Sequence, residues 1–162
     1  MQAASNLGGN YNKGGDLIYR FGNPQVYNNT AGQRLFYNNH SPNFLKDNLP
    51  GAGNILVYNN GGNIGQSSVY ELKMPDPFKL LPNNNNEPTI IWSFTDANLF
   101  SDRISGAERL ENGNTLITEG DYGFWEVTPS KEIVWKYKDA GTTFWRSYIY
   151  KKEATEIKAL GL

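Results

Sequence analysis

Short runs of β-branched and aromatic residues, each closed by glycine, asparagine or proline, recur along the chain. The clearest set lies in residues 105–137. Ala107, Glu108, Arg109 and Leu110 alternate small or apolar with charged side chains, and Asn112-Gly113 is a turn signal. Residues 114–118 read Asn-Thr-Leu-Ile-Thr, residues 120–123 turn the chain, and residues 124–127 read Phe-Trp-Glu-Val. Pro129-Ser130-Lys131 turns it again before Glu132-Ile133-Val134-Trp135-Lys136-Tyr137. Runs this short, with branched or aromatic residues on the pleat, predict one four-stranded antiparallel meander.

A sheet of that size cannot bury both of its faces, so a second copy is expected. Gly53-Asn54-Ile55-Leu56-Val57 repeats Gly113-Asn114-Thr115-Leu116-Ile117. Glu71-Leu72 repeats Glu126-Val127, and Ile91-Trp92-Ser93-Phe94 repeats Val134-Trp135-Lys136-Tyr137. A third copy of the last strand type, Ile18-Tyr19-Arg20-Phe21, lies near the start. Strand types recurring in one order predict an all-β fold, a partial β-propeller of about two four-stranded antiparallel blades plus flanking strands. A two-layer sandwich is the alternative that short strands also allow.

The organisation follows. Residues 1–14 form a flexible N-terminal segment, and residues 15–150 form the partial propeller. Within it, residues 16–21 and 40–45 are expected strands, and residues 73–88, rich in proline and asparagine, an insertion at a blade rim. Residues 143–150 alternate like the innermost strand of a further blade. In the tail, residues 151–162, a short helix over 153–160 is expected, stopped by Gly161. Two blades do not close a ring. Self-association to complete the propeller is therefore expected, because an open arc leaves apolar faces and strand edges uncovered.

Composition narrows the function. A net charge of −1 gives no electrostatic case for nucleic acid or an anionic membrane surface. The absence of cysteine removes disulfides, thiolate metal sites and a cysteine nucleophile. No apolar stretch is long enough to span a bilayer, and residues 1–16 show no signal-peptide pattern. No cofactor motif is present: neither glycine-rich nucleotide loops nor metal-ligand spacing is found.

Residues 51–57, 59–61 and 67–72 resemble bacterial arylsulfate sulfotransferase-like propeller proteins. So do residues 15–24, 105–120 and 144–150, in the order in which the family carries them. The chain looks like the C-terminal part of such a protein. The resemblance implies a six-bladed propeller with its site in the central channel. It implies sulfuryl transfer from a phenolic sulfate to a phenol through a transiently sulfated histidine, with no cofactor, in the periplasm or outside the cell.

His40 is the single histidine. By the resemblance it matches the histidine of a Gln-His pair, with Asn39 in place of Gln, and so is the expected catalytic residue. Asn43, three positions on, is an expected sulfate ligand if Pro42 breaks the strand's regularity. Arginine suits sulfate because its planar fork donates two parallel hydrogen bonds. Of Arg20, Arg34, Arg103, Arg109 and Arg146, the sequence ranks Arg109 and Arg146 first, on inner-strand candidates. The alternative for both is an ion pair between blades with Glu108, Glu119 or Glu126. Trp145, beside Arg146, is placed to stack on a phenol; packing is the alternative reading of this and the other tryptophans. The family arginine is expected after Asn59-Asn60-Gly61, but residues 62–66 hold none. With one imidazole for both nucleophile and acid, the chain alone is expected to show little transfer. A propeller module that binds or packs without chemistry is the alternative function.

Overall fold

Two four-stranded antiparallel sheets make up the molecule, in a computed structural model that describes residues 19–76, 78, 86–139 and 141–161. The first contains β1 (Asn39–Phe44), β2 (Ile55–Asn59), β3 (Ser68–Lys73) and β4 (Thr89–Phe94), paired in sequence order. The second contains β5 (Gly106–Arg109), β6 (Thr115–Glu119), β7 (Gly123–Val127) and β8 (Ile133–Lys138), paired the same way. The sheets stand side by side like neighbouring blades of an unclosed propeller, with β5 against β1 and β2. A short α1 (Thr155–Ala159) follows.

The repeated sequence gives repeated geometry. Asn54 and Asn114 each donate a side-chain hydrogen bond of 2.6 Å, to Glu71 and Glu126 respectively. Their backbone carbonyls accept from Leu45 and Leu110, each at 2.8 Å. Both sheets break register immediately after the glutamate, between Glu71 and Leu72 and between Glu126 and Val127. Trp92 stacks on Phe94 at 6.3 Å, and Trp135 on Tyr137 at 6.3 Å. Gly113 precedes the repeated asparagine at φ +89°, where an added Cβ would also crowd Pro129 at 3.3 Å.

The core lies between the sheets. Tyr58, Val69 and Phe94 of the first sheet meet Ala107, Ile117, Trp125 and Val127 of the second. Trp125 is fully buried, edge-on to Phe94 at 6.4 Å. Polar clasps cross the same boundary. Arg109 Nη2 donates to Glu71 Oε2 at 2.7 Å, and Trp92 Nε1 donates to the Pro129 carbonyl at 2.9 Å. The linking segment is tied down by side chains as well. Gln66 Nε2 donates to the carbonyls of Asp96 and Leu99, and Glu119 accepts from Phe100 N–H and Trp125 Nε1, both at 2.7 Å.

Several expected elements differ. Residues 1–14 lie outside the described residues, as do residues 16–18 of the expected first strand; Tyr19, Arg20 and Phe21 are not strand. They belong to a segment that covers the outer face of the first sheet, with Phe36 between Phe21 and Tyr70. Residues 77 and 79–85 of the expected insertion also lie outside the described residues. Residues 143–150 are not a strand: Phe144 N–H reaches the Gly120 carbonyl, but no neighbouring strand continues the ladder among the described residues. The helix is shorter than expected, and Ala154 at its N-cap supplies no side-chain bond.

Candidate functional site

His40 is the second residue of β1, opposite Tyr58, and Asn60 follows the last residue of β2 and lies beside the imidazole. His40 Nδ1 lies 2.7 Å from Asn60 Oδ1. Asn60 is itself fixed: its Nδ2 donates to the carbonyls of Ser101 at 2.8 Å and Ile104 at 3.1 Å. With the amide nitrogen committed to two carbonyls, the oxygen must face the ring, and Nδ1 must carry the proton. That leaves Nε2 with its lone pair in the neutral ring, without a partner among the described residues. Asn60 is fully buried, so this arrangement is rigid.

The imidazole borders a cavity of about 670 Å³. Arg20 and Arg34 line it with Asn38, Asn39 and Asp102. Arg34 is oriented by its own neighbourhood: Nε donates to the Phe36 carbonyl at 3.0 Å, and the guanidinium sits 4.0 Å from the Tyr37 ring centroid. Its Nη groups are left for a ligand, and no ion pair engages Arg20 or Arg34 among the described residues. Asp102 is 3.9 Å from Arg103 Nε. Two guanidinium groups against one carboxylate favour an anion here. The cavity wall at Gly22 stands at φ +127°, and a Cβ there would come within 3.1 Å of Phe36. Glycine is therefore required at that wall.

The other expected site residues lie elsewhere. Asn43 does leave the regular strand, through a register break after His40 in which Ser41 takes φ +51°. Its Nδ2 is spent on the carbonyls of Ser41 and Ala107, each at 3.1 Å. Arg109 is buried in its bond to Glu71. Asn43, Arg109 and Arg146 line a second cavity of about 840 Å³, with Lys46, Glu108, Tyr148 and Tyr150. Burial pushes the Glu108 carboxyl above its usual value, while Lys46 and Arg146 pull it back. Trp145 lines neither cavity and is 72% exposed. Among the described residues, no group of three or more histidines, aspartates or glutamates is placed to hold a metal ion.

Asn60 is the residue that the sequence reading missed. Asn59-Asn60-Gly61 reads as a turn, and only the register of β1 on β2 puts its second asparagine beside His40. Arg20 and Arg34 were visible as arginines, but they lie outside the strands. No family model matches the chain, and no curated protein and no solved structure matches it.

Proposed function

We propose that the cavity beside His40 binds the sulfate group of a phenolic sulfate, and that the chain is an aryl sulfotransferase-like propeller unit that, alone, binds this group better than it transfers it. The carrying observation is the Asn60–His40 contact, which holds the proton on Nδ1 and presents Nε2. A neutral Nε2 is the atom that attacks sulfur; a protonated one donates to a sulfate oxygen. Arg20 and Arg34 border the same cavity and supply planar donors to those oxygens. In a transfer, the Nε2–S bond forms as the bond from sulfur to the phenolic oxygen breaks. The phenolate then needs a proton, and the cavity holds no second imidazole to give it. Binding without turnover is the result.

The test is a titration of the chain with 4-nitrophenyl sulfate, and separately with inorganic sulfate, following the His40 ring nitrogens by NMR. A saturable shift with the aryl ester, weakened about tenfold or more by Arg34→Ala and unchanged by Lys131→Ala, is expected. Absence of any saturable shift sinks the reading. Release of 4-nitrophenol at more than a trace rate would keep the site and refute the absence of turnover.

A further inference from the structure

Two asparagine-glycine pairs occur in the chain, Asn60-Gly61 and Asn112-Gly113. Such a pair carries an electrophile and a nucleophile side by side. The side-chain amide carbon of the asparagine is open to attack by the backbone nitrogen of the glycine, which has no Cβ beside it to block the approach. The fold treats the two pairs in opposite ways.

Asn60 is locked. It is fully buried, its Nδ2 donates to the carbonyls of Ser101 and Ile104, and its Oδ1 faces His40 Nδ1. The Gly61 N–H donates to the Tyr37 carbonyl at 2.9 Å, and the Gln66 carbonyl stands where a Gly61 Cβ would be. Bringing the amide carbon onto the Gly61 nitrogen would break these bonds together.

Asn112 is exposed in the turn between β5 and β6. Its Nδ2 has no hydrogen-bond partner among the described residues, while its Oδ1 accepts from the Asn114 N–H at 3.0 Å. That contact folds the side chain back over the Gly113 peptide. The N–H that holds the oxygen also stabilises the negative charge that develops on it when the amide carbon is attacked. A single bond, 3.0 Å to the Leu110 carbonyl, restrains the Gly113 N–H.

We infer that Asn112 is the site of spontaneous deamidation in the folded chain, and that the fold protects Asn60. The Gly113 nitrogen forms a bond to Asn112 Cγ as the bond from Cγ to Nδ2 breaks, and Nδ2 leaves as ammonia with the Gly113 proton. Water then opens the cyclic imide at either of its two carbonyls. One opening leaves aspartate at 112, which keeps an oxygen for the Asn114 N–H. The other leaves isoaspartate, which adds a methylene to the main chain. It does so inside a turn closed by the bonds from Gly113 to Leu110 and from Leu110 to Asn114, and Asn114 in turn holds Glu126. Either product adds a carboxylate to the rim of the second cavity, next to Glu111, the partner of Lys151.

The test holds the whole chain at mildly alkaline pH, folded and in parallel unfolded in urea, until the unfolded chain has lost most of both amides. Mass spectrometry of its peptides reads the exchange of amide for acid at each asparagine. In the folded chain Asn112 is expected to convert about tenfold or more faster than Asn60, because Asn60 reacts only when the fold opens. The unfolded chain is expected to convert both at similar rates. The isoaspartate form should unfold at lower urea than the parent, whereas Asn112→Asp keeps the parent's midpoint. Asn112 retaining its amide in the folded chain, or Asn60 converting there as fast as Asn112, overturns the inference. An isoaspartate form with the parent's midpoint overturns its consequence for the turn.

Discussion

Glu71 and Arg109 form a buried ion pair, 2.7 Å between Oε2 and Nη2, with side-chain exposures of 5% and 6%. It joins the third strand of one sheet to the inner strand of the other. Asn54 takes the second carboxylate oxygen, but Arg109 Nε is buried without a partner. A pair of this kind is expensive to break and of modest net benefit when intact, because each charge has lost its water.

Arg109→Ala is therefore expected to destabilise by about 3–5 kcal/mol, since Glu71 is left buried and uncompensated. The Glu71→Leu, Arg109→Met double variant is expected to cost much less than the sum of the single changes. It leaves no buried charge and removes the orphaned Nε. Urea unfolding of the four proteins closes the cycle, and additive single effects would show that the pair does not couple the sheets.

Trp125→Ala is expected to cost about 3–5 kcal/mol, as a fully buried indole leaves a cavity between the sheets. Trp125→Phe refills most of that volume but leaves Glu119 Oε2 without its indole donor. It should cost about 1–3 kcal/mol. Equal midpoints for Trp125→Phe and the parent would show that the Glu119 bond contributes nothing.

The meanders were legible because their punctuation and periodicity agree: Asn112-Gly113 ends β5, and Glu71 and Glu126 mark the same bulge. The ends of the chain were less so. Residues 143–150 alternate as a strand does, yet a strand needs a neighbour to bond, and none is described. His40 drew attention in the sequence as the single histidine, and the cavity it borders is a candidate site. Its companions were not legible. Arg34 arrives on an irregular segment that has no period, Arg20 on one that the repeat reads as a strand but that is none, and Asn60 is placed by strand register. Arg109 looked like an anion ligand on an inner strand, but its partner Glu71 comes from a sheet that periodicity alone could not align with it.

Stability should fall as pH rises through the mildly acid range, in part because of Glu108. Burial raises its folded carboxyl above the ordinary 4.5. A raised folded value means that the unfolded chain loses its proton first. The stabilising contribution is then full below 4.5 and lost as pH climbs through the folded value. Glu119 shifts in the same direction for the same cause. Glu108→Gln removes one of the two, so its unfolding midpoint should depend less on pH between acid and neutral solution. An unchanged slope would place Glu108 in water in the folded protein.

Asn60 does two jobs, and they separate by substitution. Asn60→Asp keeps an oxygen toward His40 but cannot donate to the Ser101 and Ile104 carbonyls, and it adds a charge in a fully buried position. Asn60→Ala removes both the amide donors and the oxygen that holds Nδ1–H. Leaving two carbonyls unsatisfied should cost about 1–3 kcal/mol each. The parent's neutral His40 should show the proton on Nδ1, the less common form in water, by its ring 15N shifts. In Asn60→Ala, at a temperature where the protein remains folded, the proton should move to Nε2, since nothing then opposes the ring's own preference. Nε2 would change from acceptor to donor in the neutral ring, and the lone pair would pass to Nδ1. A parent His40 already protonated on Nε2 would contradict the hydrogen-bond network from Ser101 through Asn60 to the ring.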